Sequence, residues 1–65
     1  MLKIVSQNKS FGNLVRHVRD EKGNKVGHIT EVYGRFVPVK YRKFRMDQML
    51  SQETLEQALE KLTNG

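Results

Sequence analysis

The sequence predicts an α+β fold, in which three or four antiparallel strands form a β-meander and one C-terminal α-helix packs on one face of the sheet. Two observations predict this class. Residues 14–45 hold three runs rich in β-branched and aromatic residues, separated by turns that contain glycine. Residues 51–62 instead repeat apolar side chains at helical spacing, and a helix this short needs a sheet to pack against.

The length of 65 residues predicts a single domain over residues 1–65, with a strand-rich basic part (1–45) and an acidic amphipathic helix (about 51–62). A chain of this size buries only about 60% of the surface that its unfolded form exposes. The sequence has no cysteine, so disulfides and thiolate metal sites cannot add stability. A homodimer is therefore one expected way for the domain to gain stability.

The hydropathy pattern predicts a cytoplasmic protein without a membrane partner. No apolar run approaches the ~20 residues that span a bilayer. The apolar start at residues 2–5 is followed at once by the polar segment 6–10. The apolar stretch is therefore too short for a signal peptide.

The first half of the chain predicts two clear strands. Residues 2–5 predict a short strand or a mobile arm, and the polar segment 6–13 predicts a loop. Strands are predicted at residues 14–19 and 25–33, joined by a turn in which Gly23 takes a positive φ. Gly27 lies inside the second of these strands, where glycine indicates a bulge or the close approach of another backbone.

A third strand is predicted at residues 35–45. Pro38 cannot donate a backbone hydrogen bond, so this strand is predicted to lie at the sheet edge. Tyr41 has the parity of the apolar valines before it, so we expect it under the helix, with Lys40 and Arg42 on the open face. The apolar parity changes near residues 42 and 43, which indicates a bulge, and Phe44 is assigned to the core together with Tyr41.

The helix has signals for its start and its buried face. Ser51 is the predicted N-cap, and Leu50 and Leu55 fit a hydrophobic staple around it. The apolar stripe consists of Leu55, Ala58, Leu59 and Leu62. The acidic outer face consists of Glu53, Glu56 and Glu60.

Charge is distributed unevenly along the chain. The formal net charge is +5, but residues 1–45 hold eleven of the twelve lysines and arginines and only three acids, which gives that part +8. Residues 35–45 contain five cations and no acid, interleaved with aromatic residues. Cations neutralise phosphates and aromatic rings stack on bases, so a nucleic acid, most simply DNA, is the expected partner. The predicted phosphate contacts are Arg16, Arg19, Lys25, Arg35, Lys40, Arg42, Lys43 and Arg45.

Two alternatives to this interpretation stay open. The cations of the third strand are also what a sheet edge uses to prevent edge-to-edge pairing.

His17 and His28 lie on neighbouring strands and could face each other, which would suit a metal-free ribonuclease or two ordinary surface histidines. With Glu31 as the nearest acid the ligands are too few for a metal site. No catalytic motif, phosphate-binding glycine loop or cofactor motif is present, so the chain is predicted not to be an enzyme.

A few residues carry a resemblance to known domains: the turn at Gly23, the strand start Gly34-Arg35-Phe36, the aromatic Phe44 and the helical segment 51–59. Together they resemble the small three-stranded-sheet DNA-binding domains of the AP2-like and integrase amino-terminal type, an outline typical of small phage and plasmid proteins. The resemblance implies that the sheet lies in the major groove and that the helix supports it from behind. Residues 45–50 depart from the pattern, because they separate the aromatic residue from the helix start.

The leading prediction is thus a non-enzymatic nucleic-acid-binding domain that uses a basic sheet face. The alternative is a small protein-interaction module that regulates or inhibits a larger host or phage enzyme. Steep salt dependence of nucleic-acid binding would favour the first, and a stoichiometric protein partner that survives nuclease treatment would favour the second.

Overall fold

Five antiparallel strands, hydrogen-bonded in chain order, form one open sheet in the computed structural model, which describes residues 2–64. The elements are β1 (Lys3–Ser10), β2 (Asn13–Arg19), β3 (Lys25–Val32), β4 (Arg35–Tyr41), β5 (Met46–Gln48) and α1 (Leu55–Asn64). The predicted α+β class with a C-terminal helix is confirmed, and the predicted number of three or four strands is too low. No helix within residues 2–64 is long and apolar enough to cross a membrane.

The segment predicted as a loop at residues 6–13 is instead most of strand β1 and the turn after it. Gln7, Asn8 and Lys9 pair with Arg16, Val15 and Leu14 of β2, although nearly all side chains of β1 are exposed. An edge strand of this kind is held by backbone hydrogen bonds to its neighbour, so its sequence needs no apolar alternation. That is why the polar composition of the segment concealed it.

The segment 35–45 is a strand followed by a chain reversal. β4 ends at Tyr41, and the N–H of Arg42 donates to the carbonyl of Arg45 at 2.7 Å, which closes a hairpin to β5. The change of apolar parity therefore marks this reversal, and the predicted bulge is wrong.

Strand β4 lies between β3 and β5, so the prediction that Pro38 marks a sheet edge is also wrong. Pro38 acts on the length of β5 instead. Its carbonyl accepts a hydrogen bond from the N–H of Met49 at 2.9 Å, but proline has no N–H to return one. The β4–β5 pairing therefore ends at Gln48, and the chain rejoins β4 only through the isolated bridge between Phe36 and Gln52.

Gly27 is where the backbone of β4 approaches β3 most closely. A Cβ atom built on Gly27 would lie 2.1 Å from the carbonyl oxygen of Val39. The β2–β3 register also shifts beside it, so that Val26 is an extra residue on β3. Val26 packs against the core, as expected when a bulge redirects a side chain. Both parts of the prediction for Gly27, a bulge and a close backbone approach, are confirmed.

Helix α1 begins at Leu55, four residues later than predicted. The hydroxyl of Thr54 accepts a hydrogen bond from the N–H of Gln57 at 3.1 Å, so Thr54 is the cap. Leu50 is 86% exposed, so the predicted staple is wrong. Ser51, the predicted cap, instead accepts a hydrogen bond from Arg35 at 2.8 Å.

The core lies between one face of the sheet and the helix. Val18 and Ile29 of the sheet are buried against Ala58 and Leu62 of α1. Six partly buried apolar residues surround them: Leu2, Ile4, Val26, Phe36, Leu55 and Leu59. The predicted apolar stripe is confirmed. The three acids predicted for the outer helix face are exposed, but Glu53 lies before the first residue of α1.

Candidate nucleic-acid interface

The two faces of the sheet can be told apart by the helix. Residues directly opposite each other on paired strands share a face. Ile29 pairs with Arg16 on one side and with Pro38 on the other, so these three lie on the face that the helix covers. His28 pairs with His17 and Val39, and these lie on the other face, which we call the open face.

Tyr41 lies on the open face, and the prediction that it packs under the helix is wrong. Its hydroxyl is 2.9 Å from Nδ1 of His28, and the two ring centroids are 5.6 Å apart. Lys40, of opposite parity, is directly opposite Gly27 and Asp47 on the helix side. Tyr41 and Lys40 do lie on opposite faces, as predicted, but the two faces are exchanged.

Three of the predicted phosphate contacts cluster at the β4–β5 hairpin. Nε of Arg42 is 2.7 Å from Oδ2 of Asp47, and Nε of Arg45 is 3.0 Å from Oδ1 of the same carboxylate. The hydrogen bond from Arg42, followed by the charge of Arg45, lowers the pKa of Asp47 below its usual value. Lys43 lies over the ring of Phe44, with Nζ 5.5 Å from the ring centroid. Phe44 is 91% exposed, so its assignment to the core is wrong.

Two further predicted contacts are engaged in hydrogen bonds within the fold. Nη1 of Arg16 is 3.0 Å from Oε1 of Glu31, its guanidinium lies over the ring of Phe36, and its side chain is only 17% exposed. Arg35 donates to the hydroxyl and to the carbonyl of Ser51, at 2.8 and 3.2 Å. Arg16 lies on the helix side, because it pairs with Ile29. Arg35 has the parity of Val39 and so belongs to the open face, where it ties the start of β4 to the segment before the helix.

The remaining predicted contacts, Arg19 and Lys25, belong to a row of cations at one end of the sheet. Arg19 pairs directly with Lys25 of β3 and with Lys3 of β1, so three positive residues are neighbours on three consecutive strands. We call Lys3, Arg19 and Lys25 the basic row. Arg19 donates one hydrogen bond to the carbonyl of Gly23 at 2.5 Å, and Lys3 and Lys25 are exposed.

The open face next to the basic row is a shallow groove. Two adjoining depressions share His17 and Tyr41. One reaches Arg19 and Lys25, and the other reaches Phe11 at the opposite end of the sheet. Val15 and Val39 lie on this face, and each is only 9% exposed although the helix is on the other side. The groove thus has an apolar floor, histidine and tyrosine rings along it, and cations at one end.

The two histidines face each other across β2 and β3, as predicted, with ring centroids 6.4 Å apart. Nε2 of His17 is 2.5 Å from Oδ1 of Asn8, and Nδ1 of His28 is held by Tyr41. Burial, followed by the neighbouring charge of His17, lowers the pKa of His28. Residues 2–64 contain no group of three histidine, cysteine or carboxylate side chains placed to hold a metal ion.

Sequence reasoning missed Lys3 and the grouping of the basic row. The signal was available, because the turn at residues 20–24 sets which residues of β2 and β3 are opposite each other. Lys3 could be included only once β1 was known to pair with β2 along its whole length. The predicted loop at residues 6–13 hid that relationship.

Comparison of the chain with protein-family models, with curated proteins and with solved structures finds no match. The sheet has five strands where the AP2-like outline has three, and that resemblance stays a prediction.

Proposed function

We propose that the chain is a nucleic-acid-binding domain that uses the open face of its sheet, with the basic row on the phosphates. The observation that carries this proposal is the direct cross-strand register of Lys3, Arg19 and Lys25. Like charges directly opposite each other on paired strands are destabilising. The direct apposition of these three cations is thus unfavourable in the chain by itself, whereas a bound polyanion would make it favourable.

The rest of the open face supports a nucleic acid over a small anion. A groove with an apolar floor and flat rings can hold bases next to bound phosphates. The β4–β5 hairpin adds cations at the same end of the sheet as the basic row, because Tyr41 ends β4 where Lys25 begins β3. Its three cations outnumber Asp47, so the hairpin stays positive although Arg42 and Arg45 pair with that carboxylate.

The proposal is tested by titrating a labelled oligonucleotide of about ten nucleotides over a salt series. Binding should be measurable at ~50 mM salt and should weaken steeply as salt rises, because phosphate contacts release counterions. Replacing Lys25→Ala should reduce the slope of log K against log salt by about 0.7–1. Lys61→Ala is the matched control: it removes the same charge from the helix and should change the slope less. Absence of binding at ~50 mM salt, or equal slopes for the two variants, would refute the proposal.

A second candidate function, protein interaction, is favoured by one specific observation. Strand β1 pairs with β2 on one side, and no other described strand covers its outer edge. It is eight residues long, and a free edge of that length can accept a strand from another protein. A stoichiometric protein partner recovered from nuclease-treated lysate, together with no affinity for oligonucleotides, would make this the better account.

A further inference from the structure

Two hairpin tips of the sheet carry fully exposed aromatic residues in a left-handed backbone conformation. Phe11 has φ 52° and is 102% exposed, and Tyr33 has φ 49° and is 101% exposed. Each is followed by a glycine that also has positive φ, Gly12 at 81° and Gly34 at 78°. The same aromatic-glycine pair thus forms both turns.

Both turns are two-residue loops, closed by Ser10 opposite Asn13 and by Val32 opposite Arg35. Positive φ at both central residues defines a type I′ turn, whose first position strongly favours asparagine, aspartate or glycine. A bulky aromatic residue there is an outlier that strains the backbone. Because Phe11 and Tyr33 are fully exposed, neither gains burial that would offset the strain. Strain kept at exposed positions is typical of a functional site.

The two tips lie at the end of the sheet opposite the basic row. They join β1 to β2 and β3 to β4, so they are about two strand spacings, ~10 Å, apart. Phe11 also lines the groove of the open face together with His17 and Tyr41. Along β2 the groove runs from Arg19 to the Phe11 tip, a distance of about 20 Å at the usual rise per residue.

We propose that Phe11 and Tyr33 stack on unpaired bases of a single-stranded nucleic acid whose phosphates lie on the basic row. This inference rests on the proposed function and adds the kind of nucleic acid that is bound. An exposed ring can stack on any base whose face is open, and the base faces of a duplex are already covered by their neighbours. The groove is thus long enough for several nucleotides of a single strand to run between its two ends.

The test compares the stability and the affinity of Phe11→Asn and Tyr33→Asn. Asparagine suits the left-handed position, so each variant should melt about 4 °C higher than the parent chain. Each should bind a single-stranded probe of about ten thymidines roughly tenfold more weakly, since stacking on one ring is lost. The salt slope should stay unchanged, because no charge is removed. Phe11→Trp retains a stacking face and should preserve the affinity, which separates stacking from turn geometry.

The outcomes distinguish this inference from the proposed function. If the asparagine variants bind the single strand like the parent chain while Lys25→Ala weakens binding, the stacking role is wrong and the phosphate role stands. A duplex of the same length that binds as tightly as the single strand would also overturn the inference. If the parent chain binds no oligonucleotide at ~50 mM salt, both proposals are overturned.

Discussion

The hydroxyl of Tyr41 and Nδ1 of His28 meet at 2.9 Å on the open face of the sheet. His17 lies beyond His28 on the next strand, so three polar rings cross the middle of the groove. This contact identifies the face on which Tyr41 lies, and it thereby places Lys40 on the helix side. The hydrogen bond also joins β3 to the last residue of β4, directly before the β4–β5 hairpin.

Removing the Tyr41 hydroxyl should destabilise the fold modestly. Tyr41→Phe keeps the ring but leaves Nδ1 of His28 without this partner, so we expect a loss of about 1 kcal/mol in the free energy of unfolding. Tyr33→Phe removes the same hydroxyl from a fully exposed ring and should be neutral. Urea unfolding of both variants measures the difference, and equal stabilities would show that the hydrogen bond contributes nothing.

The stability of the fold should fall as the pH drops from about 7.5 to 5.5. Burial and the neighbouring His17 hold the pKa of His28 below its ordinary value of 6.5, so the unfolded chain takes up this proton first. The contribution is therefore complete above pH ~7.5 and is lost as the pH falls through 6.5 towards the lower folded value. The lowered pKa values of Asp20 and Asp47 place their effects at more acidic pH, outside this window.

The measurement is the melting temperature at the two pH values for the parent chain and for His28→Gln. Glutamine does not titrate, so the variant should lose less stability on acidification than the parent chain. An identical decrease in both proteins would assign the pH dependence to groups other than His28.

A side chain at position 27 should disrupt the β3–β4 pairing. Gly27→Ala places a methyl group 2.1 Å from the carbonyl oxygen of Val39, which is backbone and cannot move aside without breaking the ladder. We expect a loss of at least about 2 kcal/mol. Gly23→Ala is the comparison, because its Cβ meets nothing within 4 Å and only its positive φ is unfavourable. Chemical denaturation should rank Gly27→Ala as the more damaging change, and the reverse order would contradict the predicted clash.

The start of the helix should depend on Thr54. Thr54→Ala removes the acceptor for the N–H of Gln57 and should cost about 1 kcal/mol. Thr63→Ala makes the same change inside the helix, where the hydroxyl donates to the carbonyl of Leu59, and should cost little. Thermal melts of the two variants compare them directly. Equal losses would mean that Thr54 does not act as a cap.

The sequence predicted those parts of the fold that leave a local pattern. The stripe from Leu55 to Leu62 and the turn at Gly23 were recognised because apolar spacing and the freedom of glycine are local signals. Strand β1 was missed because it is held by backbone pairing, which leaves no side-chain pattern. The predicted helix cap is misplaced because serine and threonine are both good caps, so residue type does not distinguish Ser51 from Thr54. In the fold the hydroxyl of Ser51 accepts a hydrogen bond from Arg35, and Thr54 caps the helix.

The site was predicted less well than the fold, for a physical reason. Charge composition identified a basic segment, but it could not show which cations have partners within the chain. Arg16 and Arg45 are paired with carboxylates, whereas Lys3 became part of the site only through its pairing with Arg19. Register and ion pairing depend on the whole sheet, so a local sequence pattern does not contain them.

An amide NMR titration of the folded chain with a single-stranded oligonucleotide of about ten nucleotides at ~50 mM salt maps the bound face residue by residue. We expect saturable shifts on the open face and at both ends of the groove, with the largest at Phe11, Arg19, Lys25 and His28. Shifts confined to the acidic residues Glu53, Glu56 and Glu60, on and just before the helix, or no saturable shifts at all, would rule out binding on the open face.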